Sequence, residues 1–366
     1  MFKITAEDGN ARAGKLKLTH GTIKTPFFMP VATKAVAKFI DAGDFKLSKT
    51  QCIISNSLIL HMTAGSKEIG KLGGIHKFMN WNKGIFTDSG GFQMYSKDML
   101  VKTTKFGVMF KDPRSGKKFF CSPEDSMEIQ QAIGSDVAMC LDDMPTFGDK
   151  KERIIDSMKK TFDWAKRCKT HHDRINKKKQ MLFGICQGGL YPDLRKKSAE
   201  MISSIDFDGL AFGGLALGEP INKMFSAIKI GMKSMPKEKP RYLMGVGVPT
   251  QIIEAVSMGV DCFDSKYTTM TARHNYLLTM KGIIEIDKKK YKDDKNPVEK
   301  DCDCYICKNF SRAYMHHIAR TKEPAGYRLR TLHNIRFMSR MMEMIRTAIK
   351  ENSLKKLKKE FSKISR

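Results

Sequence analysis

Eight short apolar runs recur between residues 28 and 264, and all but the first end in a polar residue or a glycine. They occupy residues 28–31, 52–56, 85–88, 137–142, 182–187, 210–214, 242–245 and 260–264. Amphipathic segments with apolar residues at helical spacing, such as 151–170 and 192–204, fill most of the gaps between them. Eight strands that alternate with helices predict the α/β class and, within it, a (β/α)8 TIM barrel.

Polar groups at the ends of these runs are candidates for chemistry, because the βα-loops of such a barrel meet at one active-site face. Asp142 and Asp264 end the fourth and eighth runs in phase with inward-facing positions, and Asp88 ends the third run. Gln187 ends the fifth run, and a pair of glycines ends the sixth with backbone amides that a ligand can approach. Taken alone, the Asp-Ser-Gly-Gly stretch that begins at Asp88 is also compatible with a simple turn.

This set of groups indicates recognition of a planar base combined with substitution at a sugar carbon. A carboxamide and a carboxylate beside glycine amides match the hydrogen-bonding edge of a heterocycle such as guanine. Two further carboxylates suit displacement at an anomeric carbon, one as the nucleophile and the other as acid and base. No Ser-His-Asp set is evident in the sequence at these strand ends.

Three parts of the chain are predicted. Residues 1–25 form an N-terminal β preamble, 26–280 form the catalytic barrel, and 281–366 form a zinc-binding subdomain with C-terminal helices packed on the barrel. Within the barrel, residues 94–121 are too many for a simple loop and are expected to fold as a hairpin.

Helix signals refine this division. Ser122, followed by Pro123 and two acidic residues, is typical of a helix N-terminus. After the last predicted strand, residues 266–300 are basic and rich in loop formers, and helical patterns return over 306–320 and 333–362.

A cysteine cluster in the C-terminal part predicts a metal site. Cys302, Cys304 and Cys307 are followed after 25 residues by His333, and three thiolates with one imidazole make a closed, structural zinc shell. Three chance free cysteines are the alternative, and other histidines near the cluster could also supply the fourth ligand.

Length and cysteine usage limit the class of protein. The chain has 366 residues, of which 41% are hydrophobic, enough for one large barrel with additions or for two ordinary domains. No apolar run approaches the length of a membrane span, and the N-terminus lacks the apolar core of a signal peptide. Four cysteines lie inside apolar runs, as in a reducing compartment, so a cytoplasmic location is expected.

The formal net charge of +27 favours a polyanionic partner. A lysine-biased composition that merely raises surface charge is the alternative. Because neither a phosphate-loop motif nor a long disordered basic tail is evident in the sequence, a folded RNA-binding surface is the expected form.

Six motifs in order resemble those of the tRNA-guanine transglycosylases, enzymes that place 7-deazaguanine bases into tRNA. They lie at residues 88–93 (Asp-Ser-Gly-Gly-Phe-Gln), 184–189, 213–219, 241–247 and 261–264, and in the cysteine–histidine set. The resemblance implies a pentosyltransferase that exchanges the wobble guanine, position 34, of GUN-anticodon tRNAs for such a base, with prequeuosine-1 favoured. It also implies a covalent aspartyl-ribosyl tRNA intermediate, a role in queuosine biosynthesis, and a homodimer with one structural Zn²⁺ per subunit.

Roles follow for individual residues by the same resemblance. Asp264 corresponds to the covalent nucleophile, Asp88 to the general acid and base, and His333 to the fourth zinc ligand. The residues expected to bind the base are Ser89, Gly90, Gly91, Phe92, Asp142, Gln187, Gly214, Leu215 and Met244. The residues expected to contact the tRNA anticodon stem-loop are Gly245, Val246, Gly247, Val248, Pro249, Thr250, Gln251, Thr269, Met270, Thr271, Ala272 and Arg273.

Some positions depart from the family pattern and leave alternatives open. Residues 268–273 keep Arg273 but lose a second arginine of the usual anticodon-contacting segment, and Leu217 replaces the valine or glycine of relatives. A transglycosylase that uses queuine or, like archaeal members, prequeuosine-0 is therefore one alternative. A non-catalytic tRNA-binding partner subunit is another, although retention of Asp88, Asp142 and Asp264 favours an active enzyme.

Overall fold

The computed structural model describes residues 1–91, 99–113, 115–176 and 179–362. Its strands are β1 (Phe2–Asp8), β2 (Ala11–Leu18), β3 (Gly21–Thr25), β4 (Phe27–Pro30), β5 (Cys52–Asn56), β6 (Gly84–Asp88), β7 (Leu100–Thr103), β8 (Val108–Lys111), β9 (Lys118–Cys121), β10 (Val137–Met139), β11 (Met181–Cys186), β12 (Gly209–Phe212), β13 (Arg241–Leu243), β14 (Cys262–Ser265), β15 (Tyr276–Thr279) and β16 (Gly282–Glu285). Its helices are α1 (Ala42–Leu47), α2 (Ser57–Thr63), α3 (Ser66–Lys71), α4 (Ile75–Phe78), α5 (Pro123–Ile133), α6 (Lys151–Ile175), α7 (Pro192–Ser203), α8 (Ile221–Met232), α9 (Pro249–Ser257), α10 (Tyr267–Arg273), α11 (Tyr305–Asn309), α12 (Arg312–Arg320), α13 (Pro324–Lys350) and α14 (Leu354–Ser362).

Eight parallel strands form the central barrel, which confirms the predicted TIM-barrel class. The strand order is β4-β14-β13-β12-β11-β10-β6-β5, and a parallel bridge between Val31 and Ile54 joins the two ends of this sheet. Aromatic rings fill the interior, where Phe86 makes edge contacts with Phe183 and Tyr242 at centroid distances of 5.5 and 6.1 Å. The barrel is thus a packed core, and its chemistry is confined to the strand ends.

Helix α5 shows why local sequence positions an element accurately. The Ser122 side chain accepts a hydrogen bond from the Asp125 backbone N–H at 3.1 Å, and the Asp125 carboxylate accepts one from the Ser122 N–H at 2.9 Å. Pro123 occupies the first turn, and Gly134 ends the helix at a φ of +75°. This capping box confirms the predicted start of the helix.

The N-terminal segment forms an antiparallel sheet in the order β1-β2-β3. It is tied to the barrel by Arg12, whose guanidinium donates to both carboxylate oxygens of Asp261 at 2.9 and 2.5 Å. Both side chains are almost fully buried, so the sheet is anchored at the beginning of β14.

The insertion before α5 is larger than the predicted hairpin. Strands β8 and β9 pair antiparallel as expected, but β7 adds a third strand to this sheet. The sequence of β7 gives little warning, because the side chains of Val101 and Lys102 are exposed and the strand lacks a buried face.

The region after β14 has more regular structure than its loop-rich composition indicated. Helix α10 and the hairpin β15-β16 occupy part of it, and the predicted boundary at residue 280 falls in the turn of this hairpin. The long helix α13 begins at Pro324 rather than at 333 and packs against β1, β2 and β4. Within the described ranges, no helix is long and apolar enough to cross a membrane.

Candidate active site and metal centre

Three carboxylates lie together at the carboxyl end of the barrel. Asp88 is the last residue of β6, Asp142 follows β10, and Asp264 is the third residue of β14. Because parallel strands end at the same face, residues far apart in sequence meet there. After burial, the largest further cause that raises the pKa of Asp88 is the charge of Asp264, and for Asp142 it is the charge of Asp88, so the three groups interact electrostatically.

Asp264 is held by two donors on one oxygen. The Tyr242 hydroxyl donates to Oδ1 at 2.6 Å, and the Gly245 backbone N–H donates to the same atom at 2.8 Å. Among the described residues, none donates to Oδ2. Burial raises the pKa of the carboxyl, and the two hydrogen bonds partly oppose that rise. The arrangement orients one oxygen and leaves the other available to a substrate.

Asp88 has the electrostatic properties of a proton carrier. Burial raises its pKa to about 6, with the Asp264 charge as the next cause. The Asn56 side-chain amide donates to Oδ2 at 3.3 Å, and the Ser57 hydroxyl donates to the Asp88 backbone carbonyl at 2.7 Å. A carboxyl with a pKa near 6 can both give and take a proton near neutral pH.

Asp142 and Gln187 form the polar floor of the site. The Gln187 amide nitrogen donates to Asp142 Oδ2 at 2.6 Å, and both side chains are buried. Burial, followed by the Asp88 charge, raises the pKa of Asp142 to about 7. Gln187 Oε1 is buried and has no hydrogen-bond partner among the described residues. This pair therefore presents both carboxylate and amide groups to a bound molecule.

Glycines bring the backbone close to this pair. A Cβ on Gly91 would collide with the Asp142 carboxylate, and one on Gly214 would lie 2.5 Å from Gln187 Oε1. Gly214 also has a φ of +64°, a conformation that side chains disfavour. The site accordingly needs glycine at both positions.

The other residues expected to bind the base lie near these groups in sequence and fold. Ser89, Gly90 and Leu215 are buried beside the ends of β6 and β12, and Met244 is half-buried after β13. Phe92, the remaining residue of that set, lies outside the described residues.

The residues expected to contact tRNA fall on two segments. Residues 245–248 connect β13 to α9, residues 249–251 begin α9, and residues 269–273 lie on α10. The side chains of Thr271 and Ala272 are buried, and the Thr271 hydroxyl donates to the Tyr267 carbonyl at 2.7 Å. Of the side chains on this part of α10, Arg273 is the exposed cation.

The cysteine cluster is assembled in the C-terminal region. One ligand atom from each of Cys302, Cys304, Cys307 and His333 lies within 4.8 Å of the others. His333 Nδ1 is 3.4 Å from the sulfur of Cys304 and 3.5 Å from that of Cys307. The other ring nitrogen donates to the Leu278 carbonyl at 2.9 Å, which directs Nδ1 toward the thiols. These four residues could hold a metal ion.

The known proteins most informative for this geometry are transferases. A family model for queuine tRNA-ribosyltransferase matches residues 7–366. The chain belongs to this family. A queuine tRNA-ribosyltransferase of Halothermothrix orenii is 44% identical over 351 residues, which cover 96% of this chain and 93% of the relative. One of Francisella tularensis subsp. novicida is 42% identical over 360 residues, which cover 98% of this chain and 97% of the relative.

Membership of the queuine tRNA-ribosyltransferase family establishes the class of reaction. The protein is a pentosyltransferase, a tRNA-guanine transglycosylase of queuosine synthesis. The family resemblance read from the motifs is thereby confirmed, and the buried Cys3His cluster is consistent with a structural metal in this family.

One contact of the candidate site is not apparent from the sequence of this transglycosylase. Tyr242 reads as a core aromatic residue of β13, yet its hydroxyl bonds Asp264. A usable signal existed, because Tyr242 is two residues before Met244 and therefore on the same face of an extended segment.

A second group of potential metal ligands lies at the opposite end of the barrel, where His20, His76 and Asp136 come together. His76 Nε2 lies 3.1 Å from both Asp136 Oδ2 and the Lys83 carbonyl. A carbonyl oxygen only accepts, so this nitrogen carries a proton and is not free to bind a metal. Since Asp136 also accepts from the backbone N–H of Ile85 at 2.9 Å, the group is a hydrogen-bond network.

The raised pKa of Asp142 predicts a pH-dependent cost in stability. The folded state favours the protonated form of Asp142. The stability that this preference contributes is fully present below the unfolded pKa of about 3.9 and is lost as the pH rises through about 7. Asp142→Asn, which can still accept from Gln187, should therefore be more stable relative to wild type at pH 8 than at pH 5. The expected difference is on the order of 2 kcal/mol, at about 1.36 kcal/mol per pKa unit.

Chemical denaturation of both proteins at the two pH values measures this difference. Asp163→Asn, which changes an exposed carboxylate on α6, is the matched control and should show the same effect at both pH values. A pH-independent effect of Asp142→Asn would contradict the prediction.

Proposed function

We propose that this transglycosylase exchanges the wobble guanine, position 34, of GUN-anticodon tRNAs for a 7-deazaguanine base through a covalent aspartyl-ribosyl intermediate. The observation that carries the proposal is the coupled pair of carboxylates, Asp88 and Asp264, beside the Asp142–Gln187 pair. The first pair suits substitution at C1′ and the second suits recognition of a base edge.

The proposed reaction consists of two displacements at the same carbon. Oδ2 of Asp264 attacks C1′ of the nucleotide, the C1′–N9 bond breaks, and the departing guanine takes a proton from the Asp88 carboxyl. Asp88 then accepts the N9 proton of the incoming base, whose nitrogen attacks C1′ and releases the Asp264 carboxylate. A pKa of about 6 lets Asp88 act in both directions.

Base recognition in this proposal follows from donor and acceptor matching. The Asp142 carboxylate accepts from the ring N1–H and the exocyclic amine, which both favour its ionised form. The 6-oxo group then faces the Gln187 amide and the Gly214 N–H. Met244 covers one face of the base, and Phe92 is proposed to cover the other.

The tRNA partner is supported by charge. A net charge of +27 favours binding of a polyanion, and Arg273 is exposed on α10. We assign the anticodon stem-loop to residues 245–251 and 269–273, with the buried side chains of α10 setting the position of its backbone. A cytoplasmic location is part of this proposal.

We assign Zn²⁺ to the Cys3His centre. Tetrahedral zinc with Zn–S of about 2.3 Å and Zn–N of about 2.0 Å places sulfur and nitrogen roughly 3.5 Å apart. The distances from His333 Nδ1 to two of the sulfurs are 3.4 and 3.5 Å, so the donors fit this ion. A closed shell leaves no position for substrate, and the ion would stabilise the fold rather than take part in the reaction.

A homodimer is the proposed assembly. Tyr305 and Tyr314 are 45% and 43% exposed, and Tyr314 stacks on Phe310 with ring centroids 4.9 Å apart. Exposed aromatic clusters of this kind are typical of protein interfaces. Sedimentation of the purified protein would show its oligomeric state.

Incorporation of labelled prequeuosine-1 into defined tRNA transcripts tests the proposed function. Label should enter a transcript with a GUN anticodon and should not enter the same transcript with adenine at position 34. Label in another part of the tRNA would favour the archaeal-like alternative. No incorporation of any 7-deazaguanine base would favour the non-catalytic partner subunit.

Leu217 is expected to limit the size of the incoming base. It lies in the loop after β12, where the Glu219 carboxylate accepts from the backbone N–H groups of Ala216 and Leu217 at 2.6 and 2.8 Å. These two hydrogen bonds restrict adjustment of the loop. Overpacking costs about 1–3 kcal/mol, so queuine should bind about 5- to 150-fold more weakly than prequeuosine-1.

Competition between the two bases for one tRNA measures the preference. Leu217→Gly should admit queuine, whereas Leu217→Met, which conserves volume, should retain the wild-type preference. A wild-type preference for queuine would contradict the steric explanation.

A further inference from the structure

Arg195 lies beneath two loops of the site without a role in the reaction described above. It belongs to α7, and its side chain is fully buried. We propose that Arg195 is a positioning residue that aims the Gly214 N–H at the 6-oxo group of the base and strengthens it as a donor. This inference rests on the proposed function.

The guanidinium of Arg195 joins the loops after β11 and β12. Nη1 donates to the Cys186 carbonyl at 3.0 Å and to the Gly213 carbonyl at 3.2 Å. Nη2 and Nε donate to the Gly189 carbonyl at 2.8 and 3.2 Å. The carbonyls of Cys186 and Gly189 lie on either side of Gln187, and the carbonyl of Gly213 immediately precedes Gly214. One side chain therefore sets the spacing of the two loops that carry Gln187 and Gly214.

The charge of Arg195 is directed entirely at carbonyl groups. Among the described residues, no carboxylate lies within 4 Å of its guanidinium nitrogens. Burial lowers its pKa to about 10, which still leaves the group protonated at neutral pH. An arginine whose only role was to neutralise a buried acid would lie beside a carboxylate.

The peptide bond between Gly213 and Gly214 connects Arg195 to the site. In a planar trans peptide, the carbonyl of Gly213 and the N–H of Gly214 point in opposite directions. Because Arg195 holds the carbonyl on the side of α7, the N–H is turned away from the helix. The Gly214 N–H donates to none of the described residues, and Gly214 lies against the Gln187 amide.

The polarised peptide can act on the departing base. A cation hydrogen-bonded to the carbonyl draws electron density through the peptide and makes its N–H a stronger donor. When the C1′–N9 bond breaks, negative charge spreads over the purine and reaches its 6-oxo oxygen. A preoriented donor at that oxygen stabilises this charge as it develops.

Substrate analogues separate this role from a structural one. 6-Thioguanine keeps the N1–H and exocyclic amine but replaces the oxygen by sulfur, a weak acceptor. Wild-type enzyme should incorporate guanine into tRNA with a higher kcat/KM than 6-thioguanine. Arg195→Lys keeps the charge but loses the forked geometry, and should reduce this preference about tenfold, mainly by slowing guanine.

Arg346→Lys is the matched control. Arg346 is also buried and donates to a carbonyl, that of Pro26 at 2.7 Å, at the opposite end of the barrel. Its substitution should leave the guanine preference at the wild-type value. If Arg195→Lys lowers the rates of both bases equally, Arg195 is only structural and the proposal is wrong. Absence of guanine exchange in wild type would instead reject the proposed function.

A measurement on wild-type enzyme decides the case if Arg195→Lys does not fold. Labelling glycine with ¹³C at the carbonyl and ¹⁵N at the amide selects the amides of the four Gly-Gly pairs in the chain, including that of Gly214. Guanine should shift the Gly214 amide proton downfield by more than 6-thioguanine does. A Gly214 signal that guanine leaves unmoved would overturn the proposal, since Arg195 would have no base contact to direct.

Discussion

Replacing Asp264 by alanine is expected to abolish the covalent tRNA adduct while the fold and metal content are retained. The carboxylate supplies the proposed bond to C1′, and no other described side chain accepts from both Tyr242 and Gly245. Loss of a covalent nucleophile should lower the exchange rate by at least about 10⁴-fold. Removal of a half-buried carboxylate whose pKa is raised should not weaken the fold.

The adduct can be trapped with labelled tRNA and separated on a denaturing gel. Asp163→Ala, an exposed substitution on α6, controls for handling and should give the wild-type yield. If Asp264→Ala still forms the adduct at normal yield, the nucleophile has been assigned wrongly and Asp88 becomes the candidate.

Cys304→Ala is expected to lose the metal and a large part of the stability together. Cys304 belongs to the Cys3His cluster, and it lies in a separate apolar cluster in which Leu277 and Ile306 pack with Leu332 of α13. Structural zinc contributes about 10 kcal/mol or more in small domains, so loss of one ligand should cost several kcal/mol here. Exchange activity should fall because α13 packs on β4 of the barrel.

Metal analysis and thermal unfolding of the same samples measure both losses. Cys121→Ala removes another buried thiol, one outside the cluster, and should keep the metal at a cost of about 1 kcal/mol. A metal-free Cys304→Ala protein with wild-type stability and exchange would refute the structural role.

The barrel and the carboxylates of its candidate site could be predicted because their signals are local. Each strand is a short apolar run, and topology alone brings the residues at the strand ends together. Asp88, Asp142 and Asp264 were found in this way. The next residue after Asp142, Asp143, points away from the site toward α6, where its carboxylate pairs with Arg153 at 2.6 Å.

Contacts between distant elements could not be predicted from such signals. The hydrogen bond from Tyr242 to Asp264 and the carbonyl contacts of Arg195 depend on how strands and loops are placed in three dimensions. Helix α13 was expected to start late because its first turns carry arginines and a tyrosine, which weaken the apolar period. In the structure Arg328 is bound by Asp44, and this distant partner supports the early start.

The closure of the barrel has a consequence for its synthesis on the ribosome. Strand β4 emerges early but lies beside β14, and the Phe27 N–H donates to the Asp261 carbonyl at 2.9 Å. Arg346, made later still, completes the bonding of the Pro26 carbonyl. The nascent chain must therefore carry an open sheet with two unpaired edges until translation has passed β14, and this interval is when chaperones and proteases would encounter it.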